Sequence, residues 1–282
     1  MSPTNNSPNA DQILYWNETV ASLWTQRADY FEQQIGHFGE VALAKLGPKK
    51  GERILDVGCG GGITTLSLAR RVEHDGRVLG IDISRPLLAL AEQRLRQQVL
   101  PQASFVVADA QVFEFEESTF DAVYSRFGVM FFADPIAAFA NIRRALVSNG
   151  RLCFVCWRSR DDNPFMYLPL GEIAKVIDVP KPAVGAPGPA SLGDPTRITS
   201  ILTAAGFRQL EVQPYNAKMT IGGANLDETV ELLLSALAAG VRERSSSQFE
   251  QLKISVREVF KPHHSPVGLV LPGAVWIVNA VK

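Results

Sequence analysis

Between positions 12 and 46 the apolar residues recur at helical spacing. Ile13, Val20, Leu23 and Trp24 are followed by Phe31, Ile35, Phe38, Val41 and Leu46, which predicts helices closed by Gly47-Pro48. The pattern then shortens. Arg53-Ile54-Leu55-Asp56-Val57 is a brief apolar run suited to a strand, and Thr64 to Val72 reads as a helix. Val78 to Ile83 is a second strand, and Ser84 is placed to cap a helix over Pro86 to Gln98. Further strands are predicted at Ser104 to Ala108, Phe120 to Ser125 and Arg151 to Trp157. A helix from Pro135 to Leu146 and a turn at Asn149-Gly150 lie before the last of these.

Strands alternating with helices predict an α/β fold whose parallel sheet is joined by right-handed crossovers. Apolar strands without strict alternation suit a sheet covered on both faces. After Trp157 the rhythm changes. Residues 178–195 are rich in Pro and Gly and read as a long loop. Thr196 to Ala205 reads as a helix ended by Gly206, and Phe207 to Tyr215 as a strand. Leu226 to Val241 is helical and apolar, a polar run follows from Arg242 to Gln248, and Phe249 to Phe260 is helical again. Ala274 to Ala280 is a final strand, expected to pair antiparallel at the sheet edge. The excursion 216–272 is then a helical insertion before it. The chain divides into residues 1–46, a tail with helices; 47–160, the α/β core; and 161–282, the rest of the core with a cap.

The chemistry concentrates at strand ends. Between the first strand and its helix stands Asp56-Val57-Gly58-Cys59-Gly60-Gly61-Gly62. Glycines allow a sharp turn and close approach of a ligand, and the helix that follows offers free N–H groups and a positive dipole end. A dinucleotide fingerprint starting at Gly58 requires glycine at position 63, where Ile63 stands. Asp56 beside the turn would repel a pyrophosphate but not an ammonium group. Asp82 ends the second strand, at the spacing of an acid that accepts ribose hydroxyls; a helix cap is its other reading. Asp109 follows the third strand, where it either accepts an adenine amino group or only starts a loop.

Together these residues resemble the class I S-adenosylmethionine (SAM)-dependent methyltransferases, in their ubiquinone/menaquinone-methyltransferase-like, small-molecule branch. The resemblance runs from Ile54 to Trp157 and includes Gly80-Ile81-Asp82-Ile83-Ser84, Ala108-Asp109-Ala110 and Phe120-Asp121-Ala122-Val123-Tyr124-Ser125-Arg126-Phe127. It implies a Rossmann-like, doubly wound, mostly parallel seven-stranded sheet under an N-terminal helical lid. It implies SAM as cofactor and S-adenosylhomocysteine as product. The turn with Asp56, Gly58 and Gly60 would hold the methionyl part, Asp82 and Ile83 the ribose, Asp109-Ala110 the adenine, and Ser125-Arg126 would lie along the cofactor. Tyr15 and Trp24 would wall it, or else pack the cap. The family's DNA-amine signature is absent, because Ser125-Arg126-Phe127-Gly128 stands in its place.

No certain general base is evident. His37 and His263 are candidates, as is Arg126 for orienting an anionic acceptor or pairing with an acid. Phe127, Met130 and Phe131 are candidates for an apolar acceptor pocket. The net charge of −1 provides no field for nucleic acid, and no basic patch with interleaved aromatics appears. No apolar run of membrane-spanning length is found. The polar start, Met1 to Asp11, reads as a disordered lead-in rather than a signal peptide, which points to the cytoplasm. Leu232 to Leu237 is a candidate homodimer face. Cys153 and Cys156 lie three apart on one strand and so on opposite faces, which disfavours a shared metal or a disulfide. The reading is a SAM-dependent methyltransferase acting on a small, partly apolar or aromatic metabolite at O, N or C. An NAD-dependent oxidoreductase and a non-catalytic SAM binder are its rivals.

Overall fold

The computed structural model describes residues 7–176, 183, 185–237 and 245–282. Its strands are β1 (Arg53–Val57), β2 (Arg77–Asp82), β3 (Ala103–Val107), β4 (Phe120–Arg126), β5 (Leu146–Trp157), β6 (Arg208–Ile221), β7 (His264–Ser265) and β8 (Gly268–Val281). They form one eight-stranded sheet in the order β3-β2-β1-β4-β5-β8-β6, with β7 paired to β8 off that path. The first five strands are parallel, and β8 is antiparallel to both β5 and β6. The α/β, Rossmann-like expectation holds, and the short β7 is the strand beyond the seven expected.

The helices are α1 (Ala10–Leu14), α2 (Ala21–Gln26), α3 (Ala28–Leu46), α4 (Ile63–Val72), α5 (Arg85–Arg96), α6 (Pro135–Ala145), α7 (Pro164–Ile173), α8 (Pro195–Ala204), α9 (Leu226–Leu237) and α10 (Ser246–Phe260). A π-helical turn, Tyr15–Thr19, joins α1 to α2. Three helices start by one device: Ser84, Asp134 and Asp194 each accept a backbone N–H with the side chain, and a proline stands in the first turn. Gly47, in the left-handed region at φ 60°, ends α3.

Parallel register places Gly80, Asp56, Tyr124 and Cys153 side by side on one sheet face. That face carries α3 and α4. The Tyr124 hydroxyl donates to Gly39 O at 3.0 Å, Cys153 Sγ donates to Ala42 O, and Thr64 and Thr65 of α4 donate to Asp56. Phe154 points to the other face and meets Phe139 of α6 at 5.5 Å between ring centroids. Cys156 also points there, with its Sγ toward Leu192 O, as period-2 geometry requires. All three cysteines are free and buried.

Several expectations shift. β5 begins at Leu146, not Arg151: Leu146 pairs with Phe120, and the register then jumps so that Arg151 pairs with Ala122. The Asn149-Gly150 turn lies inside that irregularity, with Asn149 at φ 62°. β6 runs on to Ile221, because Met219 and Ile221 keep alternating inward against β8. The final strand is not at the edge but lies between β5 and β6, and edge strand β6 tolerates Pro214. The helix expected to reach Val241 is described to Leu237, α10 begins within the expected polar run, and residues 238–244 lie outside the described part. Residues 178–182 and 184 of the expected loop lie outside it as well, with residue 177 before them, as do residues 1–6 of the expected lead-in. The rest of that lead-in is docked: Asn9 is only 4% exposed and α1 starts at Ala10. In the apolar run expected as a dimer face, Leu234 is wholly buried within the subunit.

Candidate active site

The strand order reverses between β1 and β4, and the chain segments leaving these two strands meet there. A Cβ on Gly58 would stand 2.7 Å from Gly128 Cα, so backbone faces backbone at the point where open α/β sheets bind ligands. The glycine turn is held from below and from the side. Gly60 N donates to Asp82 Oδ2 at 2.8 Å, and Ser84 N donates to Asp82 Oδ1 at 2.8 Å. Burial pushes the Asp82 carboxyl above its ordinary range, against the lowering effect of these N–H bonds. Gly60 has open space where a Cβ would lie. Arg94 of α5 braces the turn, donating to Gly61 O at 2.8 Å and pairing with Asp29 of α3 at 2.7 Å.

A cavity of about 540 Å³ opens at this edge. Gly58, Gly60, Asp82, Ile83, Asp109 and Ala110 bound it at the strand ends, and Tyr15 and Trp24 also line it. The other end is aromatic and apolar, with Phe127, Met130, Phe131, Trp157 and Phe165. Phe127 stacks on Trp157 at 4.4 Å, while Trp24 stacks on Phe31 at 4.1 Å. Phe127 is in the left-handed region at φ 60°, an unusual state for a bulky residue and one found where a site holds strain.

The structure places other predicted residues outside the cavity wall. Asp56 is wholly buried beneath the turn, where its Oδ2 accepts from Thr64 and Thr65 at 2.6 and 2.7 Å and its Oδ1 has no hydrogen-bond partner. Desolvation raises its pKa to about 6, ahead of the opposing Thr64 and Thr65 bonds. Ser125 is also wholly buried, donating to Val57 O at 2.7 Å, so it ties β4 to β1 instead of lining the site. His37 packs on Phe38 at 3.9 Å and burial lowers its pKa, but it does not bound the cavity. His263 lies in the exposed turn Lys261–His263, also away from it. Neither histidine offered as a base bounds the cavity, whereas Arg126, offered for orienting an acceptor, does.

Arg126 is paired bidentately with Glu32 of α3, at 2.8 and 2.6 Å. Glu32 was not legible as a site residue, nor was Asn9, whose Nδ2 donates to both Asp109 oxygens at 2.9 Å while its Oδ1 accepts from Ala133 N at 2.7 Å. Asn17 likewise links this segment to the end of β2, donating to Ile83 O at 2.9 Å and accepting from Arg85 N at 3.0 Å. Asn9 and Asn17 thus tie the segment 9–17 to the ends of the strands. Gly36 and Gly39, in the middle of α3, were the available signal that something passes close to that helix.

With this geometry in place, the likenesses to other proteins become specific. Residues 54–150 match the family model described as a methyltransferase domain. This stretch is a methyltransferase domain. It contains the glycine turn, Asp82, Asp109 and Arg126. Over 150 residues the chain is 34% identical to the 2-phytyl-1,4-naphtoquinone methyltransferase of Trichormus variabilis, covering 52% of this chain and 66% of that protein. Over 162 residues it is 31% identical to the demethylmenaquinone methyltransferase of Lactiplantibacillus plantarum, covering 57% of this chain and 62% of that one. The chain thus spans just under two thirds of the length of these relatives. The fold is shared with phosphoethanolamine N-methyltransferase 2 of Haemonchus contortus, solved with phosphomonomethylethanolamine and S-adenosylhomocysteine. The TM-score is 0.60 at 20% identity, over 99% of this chain and 61% of that one. No helix among the described residues is long and apolar enough to cross a membrane, and no group of metal-ligating side chains occurs among them.

Proposed function

We propose that this protein is a SAM-dependent methyltransferase acting on a small, partly apolar or aromatic metabolite. The observation that carries this reading is a single cavity that joins the glycine turn and Asp82 at one end to the Phe127–Trp157 aromatic wall at the other. The names of the two curated relatives, both quinone methyltransferases, support an aromatic acceptor, and the S-adenosylhomocysteine in the H. contortus enzyme supports the cofactor.

The residues present fit SAM. The turn offers open space beside Gly60, where a side chain would obstruct the methionyl end. Asp82, an acceptor-only carboxylate when ionised, suits a pair of ribose hydroxyls. Asp109 and Ala110 suit the adenine edge, with Asn9 sharing the Asp109 carboxylate. Bound SAM supplies a methyl group on sulfonium, already activated for in-line displacement. The protein's task is then to position the acceptor and exclude water, and such positioning accounts for roughly 7–11 kcal/mol in favourable cases. The roof made by the Tyr15–Thr19 turn, α2 and α3 supplies the exclusion through Tyr15, Trp16, Trp24 and Phe31. Calorimetry should give S-adenosylhomocysteine binding with no response to NAD, and labelled SAM should lose its methyl group to a pool of aromatic metabolites. Binding of NAD in place of S-adenosylhomocysteine would overturn the assignment.

A further inference from the structure

The acceptor end of the cavity contains an ion pair that cofactor binding does not require. Arg126 Nη1 and Nη2 face Glu32 Oε1 and Oε2, and the two side chains are 14% and 27% exposed. Both bound the cavity among aromatic residues. The helix beneath them is built to admit them. A Cβ on Gly36 would stand 2.6 Å from Glu32 Oε1, and one on Gly39 would stand 2.6 Å from Arg126 Cδ and 3.3 Å from the Tyr124 hydroxyl. Glycine inside a helix costs about 1 kcal/mol relative to alanine, so α3 is weakened twice to make this room.

Stability does not account for the pair. A partly buried ion pair contributes little or nothing net relative to apolar residues of the same shape. It also uses only two of the five N–H donors of Arg126. Gln34, on the same helix, is 8% exposed and bounds the same cavity. Polar capacity is thus left over at an otherwise apolar end.

We propose that Glu32 and Arg126 form the polar contact for an acceptor that carries an ionisable hydroxyl on an apolar ring: Glu32 takes the proton and Arg126 holds the oxyanion. The assignment rests on the methyltransferase reading above. The acceptor O–H bond breaks and its proton passes to a Glu32 oxygen. The oxygen's electron pair then forms the O–CH3 bond as the S–CH3 bond breaks, with that bond's electrons remaining on sulfur as S-adenosylhomocysteine. The proton leaves Glu32 for water when the product departs. The charge balance suits an apolar cavity. Glu32 and Arg126 together are neutral before the transfer, and protonated Glu32, Arg126 and the oxyanion are neutral after it, so no uncompensated charge appears in a medium of low dielectric. Asp56 on β1 and Tyr124 on β4 are the other ionisable groups acting on Arg126, and both favour its charged form.

The test uses 4-nitrophenol, whose ionised form is coloured, with the whole protein and a parallel titration of S-adenosylhomocysteine. Bound dye should ionise at a proton concentration about tenfold higher than free dye, a downward shift of about one pH unit. Arg126→Met, which leaves the Glu32 carboxylate facing the dye, should raise the midpoint above the free value. Glu32→Gln, which leaves Arg126 unpaired, should lower it further and make methyl transfer depend on the acceptor's own ionisation, so that its rate rises with pH. Gly36→Ala keeps both charges and displaces the carboxylate from Arg126, so it should lower the midpoint even if the charge variants fold poorly. Dye that fails to bind, a wild-type midpoint equal to that of free dye, or a midpoint unmoved in Glu32→Gln and Gly36→Ala overturns the pair's role while S-adenosylhomocysteine still binds. Failure of S-adenosylhomocysteine to bind the wild type overturns the methyltransferase reading instead.

Discussion

Gly58 and Gly128 stand so close that neither has room for a side chain. A Cβ on Gly58 would lie 2.7 Å from Gly128 Cα, and one on Gly128 would lie 2.8 Å from Gly58 Cα and 2.7 Å from Val57 O. The first glycine leaves β1 and the second follows β4, the two strands between which the order of the sheet reverses. Their contact closes the bottom of the crevice with main chain rather than with mobile side chains.

Gly128→Ala should destabilise the protein by about 1–3 kcal/mol through overpacking, read as a lower urea midpoint. The backbone at Gly128 is ordinary helical, φ −78° and ψ −39°, so the effect is steric alone. Gly60→Ala should behave differently. Its Cβ meets nothing within 4 Å, but φ is 53°, so the loss of stability should be about 1–2 kcal/mol, with a larger fall in S-adenosylhomocysteine affinity because the methyl group enters the cavity.

Asp82→Asn should weaken S-adenosylhomocysteine binding by about 10- to 100-fold, since a charge-assisted hydrogen bond contributes about 1.5–3 kcal/mol. Calorimetry reads the change. The variant also keeps only one side-chain acceptor where Gly60 N and Ser84 N use two, so the bound state should show faster hydrogen exchange at the turn.

Asp56 makes stability depend on pH. Its carboxyl has a pKa of about 6 in the folded protein, above its ordinary value of 3.8. The folded state therefore holds the proton more tightly. The associated stability is fully present below about pH 4 and is lost as pH rises through about 6, a swing of about 3 kcal/mol. Asp56→Asn should remove that slope, so its urea midpoint relative to wild type should be higher at about pH 7 than at about pH 4.

Burial raises the pKa of every cysteine thiol, that of Cys153 to about 12. Because the thiolate is the reactive form, none of the three should react with a disulfide reagent in the native protein within minutes, and all three should react in urea. Reaction of one thiol without urea would mark an opening near it.

Asn9→Ala should loosen the start of the chain. Two bonds to Asp109 and one from Ala133 N are lost, and residues 9–20 should exchange amide hydrogens faster while the sheet does not change.

What could be read from the sequence was local. The glycine turn, the Asp82 strand end and the Ser84 cap are each set within a few residues, so their roles follow from short spacing. Asp56 and Ser125 were assigned to the wall because they adjoin wall residues, but strand alternation turns them away from it, and their hydrogen bonds lie beneath. Glu32 could not be read, because its partner is 94 residues away. The place of β8 was hidden for the same reason: antiparallel strands of similar pattern fit an edge or an interior, and only the pairing of Val275–Val281 with β5 decides it. Met219 and Ile221 do not read as strand in the sequence, because Pro214 and Asn216 interrupt the alternation that they continue.

The position of β8 has a consequence for how the chain folds as it is made. Both neighbours of β8 precede it in sequence, and β5 and β6 pair only through it. Until β8 has left the ribosome, each presents a bare row of N–H and C=O groups, the template on which other strands add. The half of the sheet that carries the glycine turn is complete well before then, because β1 to β5 pair among themselves. A nascent chain could therefore hold a finished cofactor cradle while its other half still depends on keeping two strands apart for a third.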